Sequence, residues 1–345
     1  MATFIERSTL KKEMPVRKFK NQNKLVLSEH MNILPSTNDN GLLAAEFIGA
    51  GDFADAFYQR QQYEVDAGRL EEPILYTPLY SIVEDASLPE VIPVNRLGPA
   101  EAVFTQIAEG GEVKFITVGE SNFSVPIYQW GLGVKYTKKL VMFNQLWQLS
   151  EIERELGVSA NARLNHIHLN PFLAYAYGAG NQTDGGALTF DSNASLPEKY
   201  LRTIEAAITA AVTDTTNPRR GPYVLLIAPG EQFTIERALN TVPQQGFSLQ
   251  SSAAGRIQSV ISYDGWVGSM GGLSTTFSGV TTGKAYLIDV SMKRRNFRSY
   301  VKQPLQRTQG NPDVSRFILD QSVYDIWLGT YADIAAATEE ITWPS

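Results

Sequence analysis

Catalysis needs side chains that converge, and this chain offers few candidates. It has three histidines, His30, His166 and His168. A zinc ion takes three or four converging ligands. His166 and His168 are two positions apart, which on a helix sends them to different faces, and His30 is remote. They read as polar positions on an exposed or interface helix, with no metal site. There is no cysteine, so disulfides, thiolate chemistry and cysteine-bound zinc are excluded. A Ser-His-Asp triad could be written with any serine, but the Gly-x-Ser-x-Gly elbow is absent; Gly119-Glu-Ser-Asn-Phe123 comes nearest. Gly279-Val-Thr-Thr-Gly-Lys284 is one residue short of a phosphate loop, has Ala285 where Ser or Thr is needed, and precedes a strand instead of following one. It reads as a turn. Gly131-x-Gly133 and Gly178-x-Gly180 lack the third glycine of a dinucleotide fingerprint. No carboxylate pair stands isolated in an apolar setting. The sequence therefore predicts no catalytic residue, no cofactor and no metal.

The densest basic cluster is Lys293, Arg294, Arg295 and Arg298, with Phe297 and Tyr300 nearby. It could touch phosphates. In a strand, however, Lys293 and Arg295 point opposite to Arg294, which favours salt bridges within or between subunits. Charge is uneven elsewhere. The first thirty residues are rich in lysine and arginine, whereas the chain from Pro312 onward is acidic, so one end could pair with the other or with a neighbouring copy. The formal net charge of −6 argues against a dedicated nucleic-acid-binding domain.

These residues need elements to hold them. At 345 residues the chain has room for two or more folding units, and 43% hydrophobic against 19% charged residues allows a real core. No apolar run approaches the length of a membrane-spanning helix, and the N-terminus has no signal-peptide core. The expectation is a soluble protein made in a cytoplasm.

Residues 1 to about 40 hold no lasting period and read as an extended arm. Gly41 to Ala67 is helix-like. Prolines at 73, 78, 89, 93 and 99 punctuate a stretch of short extended pieces. A long β-hairpin is predicted next, with arms Glu112–Val118 and Phe123–Trp130. Pro126 in its second arm confines it to an edge, and apolar residues on both faces call for a partner. Lys138 to Leu156 keeps helical spacing, Gly157 interrupts it, and the pattern resumes to Tyr177. Pro171 should kink or restart that helix, with Asn170 as N-cap. Gly178–Gly186 is a loop. An α/β unit follows. Ser195 and Glu198 form a capping box, Tyr223–Ala228 is a doubly buried strand, and Glu231–Asn240 is a short helix. Arg256–Tyr263 is a strand, Trp266–Gly272 a loop, and Ala285–Val290 another buried strand. Extended segments return from Lys293 onward.

The order of arm, hairpin, long helix, glycine loop, α/β unit and returning strands resembles the major capsid protein of tailed bacteriophages, with the Hong Kong 97-type fold. The resemblance rests on Gly110–Glu120 through Tyr136–Val141, similar to the extended loop entering a spine helix. It rests also on Asn217–Gly230 through Leu239, similar to the strand and helix of an axial domain. It implies an α+β fold with an extended N-terminal arm (1–80) and a first peripheral segment (81–194). That segment would carry the loop hairpin (about 101–136) and the spine helix (about 138–177). An axial domain (195–290) and strands returning to the peripheral domain (291–345) would complete it.

It further implies a structural protein, not an enzyme. Such a protein would self-assemble as hexamers and pentamers into an icosahedral virion shell around double-stranded DNA, which it would touch nonspecifically. It would assemble in the host cytoplasm with a separate scaffolding protein, a portal and a decoration protein, and no membrane. Inter-subunit contacts would come from the hairpin through Val113, Phe115, Val118, Phe123, Val125, Ile127, Tyr128 and Trp130. The arm would add Phe4, Arg7, Lys11 and Lys12. An encapsulin-like compartment, or an enzyme built on the α/β unit, are the alternative readings.

Overall fold

The computed structural model describes residues 62–94, 123–137, 146–240, 252–270, 273–310 and 318–344. The arm residues Phe4, Arg7, Lys11 and Lys12, the loop residues Val113, Phe115 and Val118, and His30 lie outside the described residues.

Two sheets and one long helix organise the fold. Helix α1 covers residues 62–71. Strands β1 (Ser81–Glu84) and β2 (Val91–Val94) follow, then β3 (Phe123–Pro126), β4 (Tyr128–Thr137) and helix α2 (Leu146–Ala174). The middle of the chain gives β5 (Gln182–Asp184), α3 (Leu196–Thr213), β6 (Tyr223–Ile227), α4 (Gln232–Asn240), α5 (Ser252–Arg256) and β7 (Ile257–Ser262). Strands β8 (Gly265–Met270), β9 (Leu273–Ser278) and β10 (Lys284–Asp289) precede α6 (Lys293–Asn296). The chain closes with β11 (Phe297–Gly310), β12 (Ile318–Ala332), α7 (Ile334–Ala337) and β13 (Thr338–Thr342).

The α/β unit is a five-stranded sheet in the order β5-β13-β10-β6-β7. Strand β6 explains its layering. Tyr223, Leu225 and Ile227 pack with Tyr200, Ile204 and Ile208 of α3, while Val224 and Leu226 face Leu169, Phe172 and Ile288. Alternate residues thus enter two cores, which is why the run is apolar throughout. The other sheet has the order β1-β11-β12-β4, with the long β11, β12 and β4 antiparallel. Leu164, Leu169 and Phe172 of α2 join one core with Val224, Leu226, Phe297 and Leu328, so the helix is wedged against both sheets.

Several expectations need correction. Helix α2 runs 29 residues without a break at Gly157 or Pro171. Proline removes a donor and costs about 3 kcal/mol inside a helix. Here it lies one turn from the end, and its neighbours Leu169 and Phe172 are fully buried. Gly157 is a crossing point, because a Cβ there would lie 2.1 Å from the Val65 carbonyl oxygen of α1. Ser195 precedes α3 but makes no side-chain cap; Glu198 pairs with Arg202 at 2.9 Å instead. The expected loop at Trp266–Gly272 is mostly strand, since β8 pairs with β9. Gly268 permits this by leaving room for the Trp266 ring, which would sit 1.8 Å from a Cβ.

The second arm of the predicted hairpin divides. Strand β3 pairs with β2, and among the described residues β4 is the edge strand beside β12. Val125 and Ile127, expected at a subunit contact, are buried within the chain against Ile92, Val94, Tyr300 and Tyr331. Lys293–Asn296 is one helical turn, not strand. The returning segment does not stay in one unit either: β13 inserts between β5 and β10.

Candidate functional site

The sequence search for chemistry has a structural counterpart in α2. His168 is fully buried and stacks on Tyr76 with ring centroids 3.6 Å apart. Its Nδ1 lies 2.7 Å from the Leu164 carbonyl and its Nε2 2.8 Å from Ser299 Oγ. A carbonyl only accepts, so Nδ1 carries the proton and Nε2 accepts from the serine hydroxyl. This has the outline of a nucleophile and its base. Yet both residues are fully buried and a carbonyl occupies the place of the orienting carboxylate. Burial lowers the imidazole pKa to about 4. The pair is a satisfied core contact, which corrects the expectation of an exposed or interface position. Among the described residues no group of three His, Asp or Glu is placed to hold a metal. Among them also, no helix is long and apolar enough to cross a membrane.

Two buried charge clusters fix the α/β unit, and neither was legible in sequence. Arg219 is almost completely enclosed. It contacts Glu339 at 3.0 Å and Asp214 at 3.2 Å, and donates to the Thr338 carbonyl at 2.8 Å. Burial raises the Glu339 carboxyl above its ordinary range, although Thr183 donates to it. Glu231 accepts from the Gly283 amide at 2.5 Å and the Trp343 indole at 2.6 Å; burial raises its carboxyl too. Both clusters tie the C-terminal strand into the sheet, and neither opens to a substrate. The only sequence cue was Arg219 in the turn before β6.

The surface features are of another kind. Phe123, Tyr128 and Val91 are 46%, 57% and 49% exposed. Phe123 sits opposite Val94, where segment 95–122 leaves β2 and re-enters β3, whereas Val91 pairs with Pro126 at the other end of the pair, near Tyr128. Exposed apolar side chains at both ends of this strand pair form a surface suited to a protein partner. Of the basic cluster, Arg298 donates to the Arg294 carbonyl and to the Tyr300 hydroxyl. Trp130 turns from the hairpin role expected for it. Its indole lines a cleft of about 550 Å³ between α2, β8–β9 and the sheet.

Comparison with known proteins agrees with this architecture. The profile of a family described as phage capsid protein matches residues 121–317, more than half of the chain. The fold is similar to that of a virus-like particle from Pyrococcus furiosus, with TM-score 0.51 and 10% identity, covering 83% of this chain and 99% of that one. It is also similar to the capsid of Cyanophage P-SCSP1u, with TM-score 0.51 and 10% identity, over 79% of this chain and 89% of that one. No curated protein matches by sequence.

Proposed function

The chain belongs to the phage capsid protein family, and from that premise we propose how this shell subunit does its work. A major capsid protein is a component of the virion, and copies of it associate into a shell. We read the subunit as closing hexamers and pentamers into an icosahedral head around double-stranded DNA. Assembly would take place in the host cytoplasm with a separate scaffolding protein, a portal and a decoration protein. Its work is structural, not catalytic.

The observation that carries this reading is the set of exposed apolar side chains along the β2–β3 pair, Phe123 at the root of segment 95–122 and Val91 and Tyr128 toward the pair's other end. A second subunit would cover them, with Val113, Phe115 and Val118 supplying the reach of that segment and Phe4, Arg7, Lys11 and Lys12 the contacts of the arm. Lys293, Arg294, Arg295 and Arg298 would form salt bridges within or between subunits or line the interior, where contact with phosphates is nonspecific and weakens with salt. We also read the chain as an arm (1–80), peripheral parts (81–194 and 291–345) and an axial part (195–290), to whose sheet β5 and β13 add from outside those bounds.

Electron microscopy of the purified protein, with the particle contents extracted, tests the reading. Shells holding DNA in infected cells support it. Shells filled with an enzyme would favour an encapsulin-like compartment, and a stable monomer at all concentrations would overturn both.

A further inference from the structure

The cleft beside Trp130 is not explained by shell geometry alone. Its floor holds the Arg163 guanidinium, which lies over the Trp130 and Phe277 rings at 4.6 Å from each centroid. Rings against the guanidinium fix its plane and leave its N–H edge for a ligand, the geometry that suits a carboxylate. Among the described residues no hydrogen bond or ion pair engages Arg163, and the indole N–H of Trp130 is buried without a partner, as is Nδ1 of His166 outside the lining. His166 itself stacks on Phe277 at 4.3 Å. The rest of the lining is largely apolar, including Leu156 and Trp266. The cleft therefore asks for an apolar segment that carries acid.

The chain holds such a segment outside the described residues. Between Leu25 and Gln59 there are five carboxylates (Glu29, Asp39, Glu46, Asp52 and Asp55) and no lysine or arginine. Its last third interleaves acid with Phe47, Phe53 and Phe57. The described chain resumes at residue 62, and Val65 of α1 packs with Leu156 and Tyr324, two residues that also line the cleft. Asp55 precedes residue 62 by seven residues, a span of up to about 23 Å of extended chain. The wall of α2 from Glu155 to Arg163 is about 12 Å long, well within that reach.

We propose that residues 42–58 of the same chain seat in this cleft, with one of their carboxylates on the Arg163 guanidinium and their phenylalanines against the aromatic lining. A nucleic-acid strand fits less well. Among the described lining residues Arg163 is the only cation, and Glu155 stands in the same cleft, so a polyanion would meet one attraction and one repulsion there.

The test uses the purified full chain. Amide exchange across residues 42–58 should be slow, and Arg163→Gln should speed it about tenfold, the loss of one charge-assisted hydrogen-bonded pair. Because Arg163→Gln could disturb α2, the combined Glu46→Gln, Asp52→Asn and Asp55→Asn variant, altered outside the described fold, should do the same. Phe47, Phe53 or Phe57→Cys, each with Val267→Cys at the cleft rim, should give an intrachain disulfide in at least one pair; the chain has no cysteine of its own. Exchange at the unprotected rate in the unaltered chain overturns the proposal. So does protection that neither set of variants changes, and so do disulfides formed only between chains. None of these readouts depends on shell assembly, so they separate this proposal from the functional reading.

Discussion

Arg219 and Glu339 meet at 3.0 Å with each side chain only 1% exposed, joining the turn before β6 to the last strand of the chain. Two charges taken out of water need each other and further donors or acceptors to remain there. Arg219 has them in Asp214 and the Thr338 carbonyl. Glu339 has the Thr183 hydroxyl. This contact holds β13 in a sheet whose other strands come from residues 182–289.

Removing one partner alone should therefore be severe. Arg219→Met leaves Glu339 buried without its cation and should destabilise the subunit by about 3–5 kcal/mol. Denaturant unfolding of unassembled subunits measures it. A change below about 1 kcal/mol would mean that water reaches the site.

Stability should fall in mild acid because of His168. Its folded pKa of about 4 lies below the ordinary value of 6.5. Between those values the unfolded chain binds a proton that the folded chain refuses, so stability is full above about 6.5 and is lost as pH falls toward 4. From pH 7 to pH 5 the loss should be about 2 kcal/mol. Urea midpoints at the two pH values check it, and His168→Asn should flatten the difference.

Gly157→Ala should destabilise despite alanine's better helix propensity of about 1 kcal/mol. The added Cβ would stand 2.1 Å from the Val65 carbonyl oxygen, which is backbone and cannot swing aside. Overpacking of this kind costs about 1–3 kcal/mol or more. The melting temperature of the subunit should drop, and a rise would show that α1 can lift from α2 freely.

Folding and assembly should separate along one strand. Val125→Ala removes a buried side chain from the cluster with Ile92 and Tyr331 and should lower subunit stability by about 2 kcal/mol. Phe123→Ser and Tyr128→Ser alter exposed positions, and should abolish particles in electron micrographs while moving the urea midpoint little. Loss of folding in all three variants would remove the basis for calling Phe123 and Tyr128 contact residues.

Some of this was readable from residue order because the physics is local. The unbroken apolar run at Tyr223–Ile227 could only be a strand covered on both sides, and α3 and α2 do cover it. The 3.6-residue spacing announced helix on both sides of Gly157, and α2 carries it from Leu146 to Ala174 without the expected breaks. Only the tertiary structure decided the rest, since each remaining feature depends on a partner far away in sequence. Pro171 stays helical because the core holds Phe172 on one side and Leu169 on the other. Val125 turns inward because β2 is there to pair with β3. His168 is core because Ser299 and Tyr76 complete its contacts. Arg163 acquires its place over two rings only when β4, before α2 in sequence, and the β8–β9 hairpin, far after it, both reach the helix. Periodicity reports which face of an element is apolar. What stands against that face is a property of the folded chain.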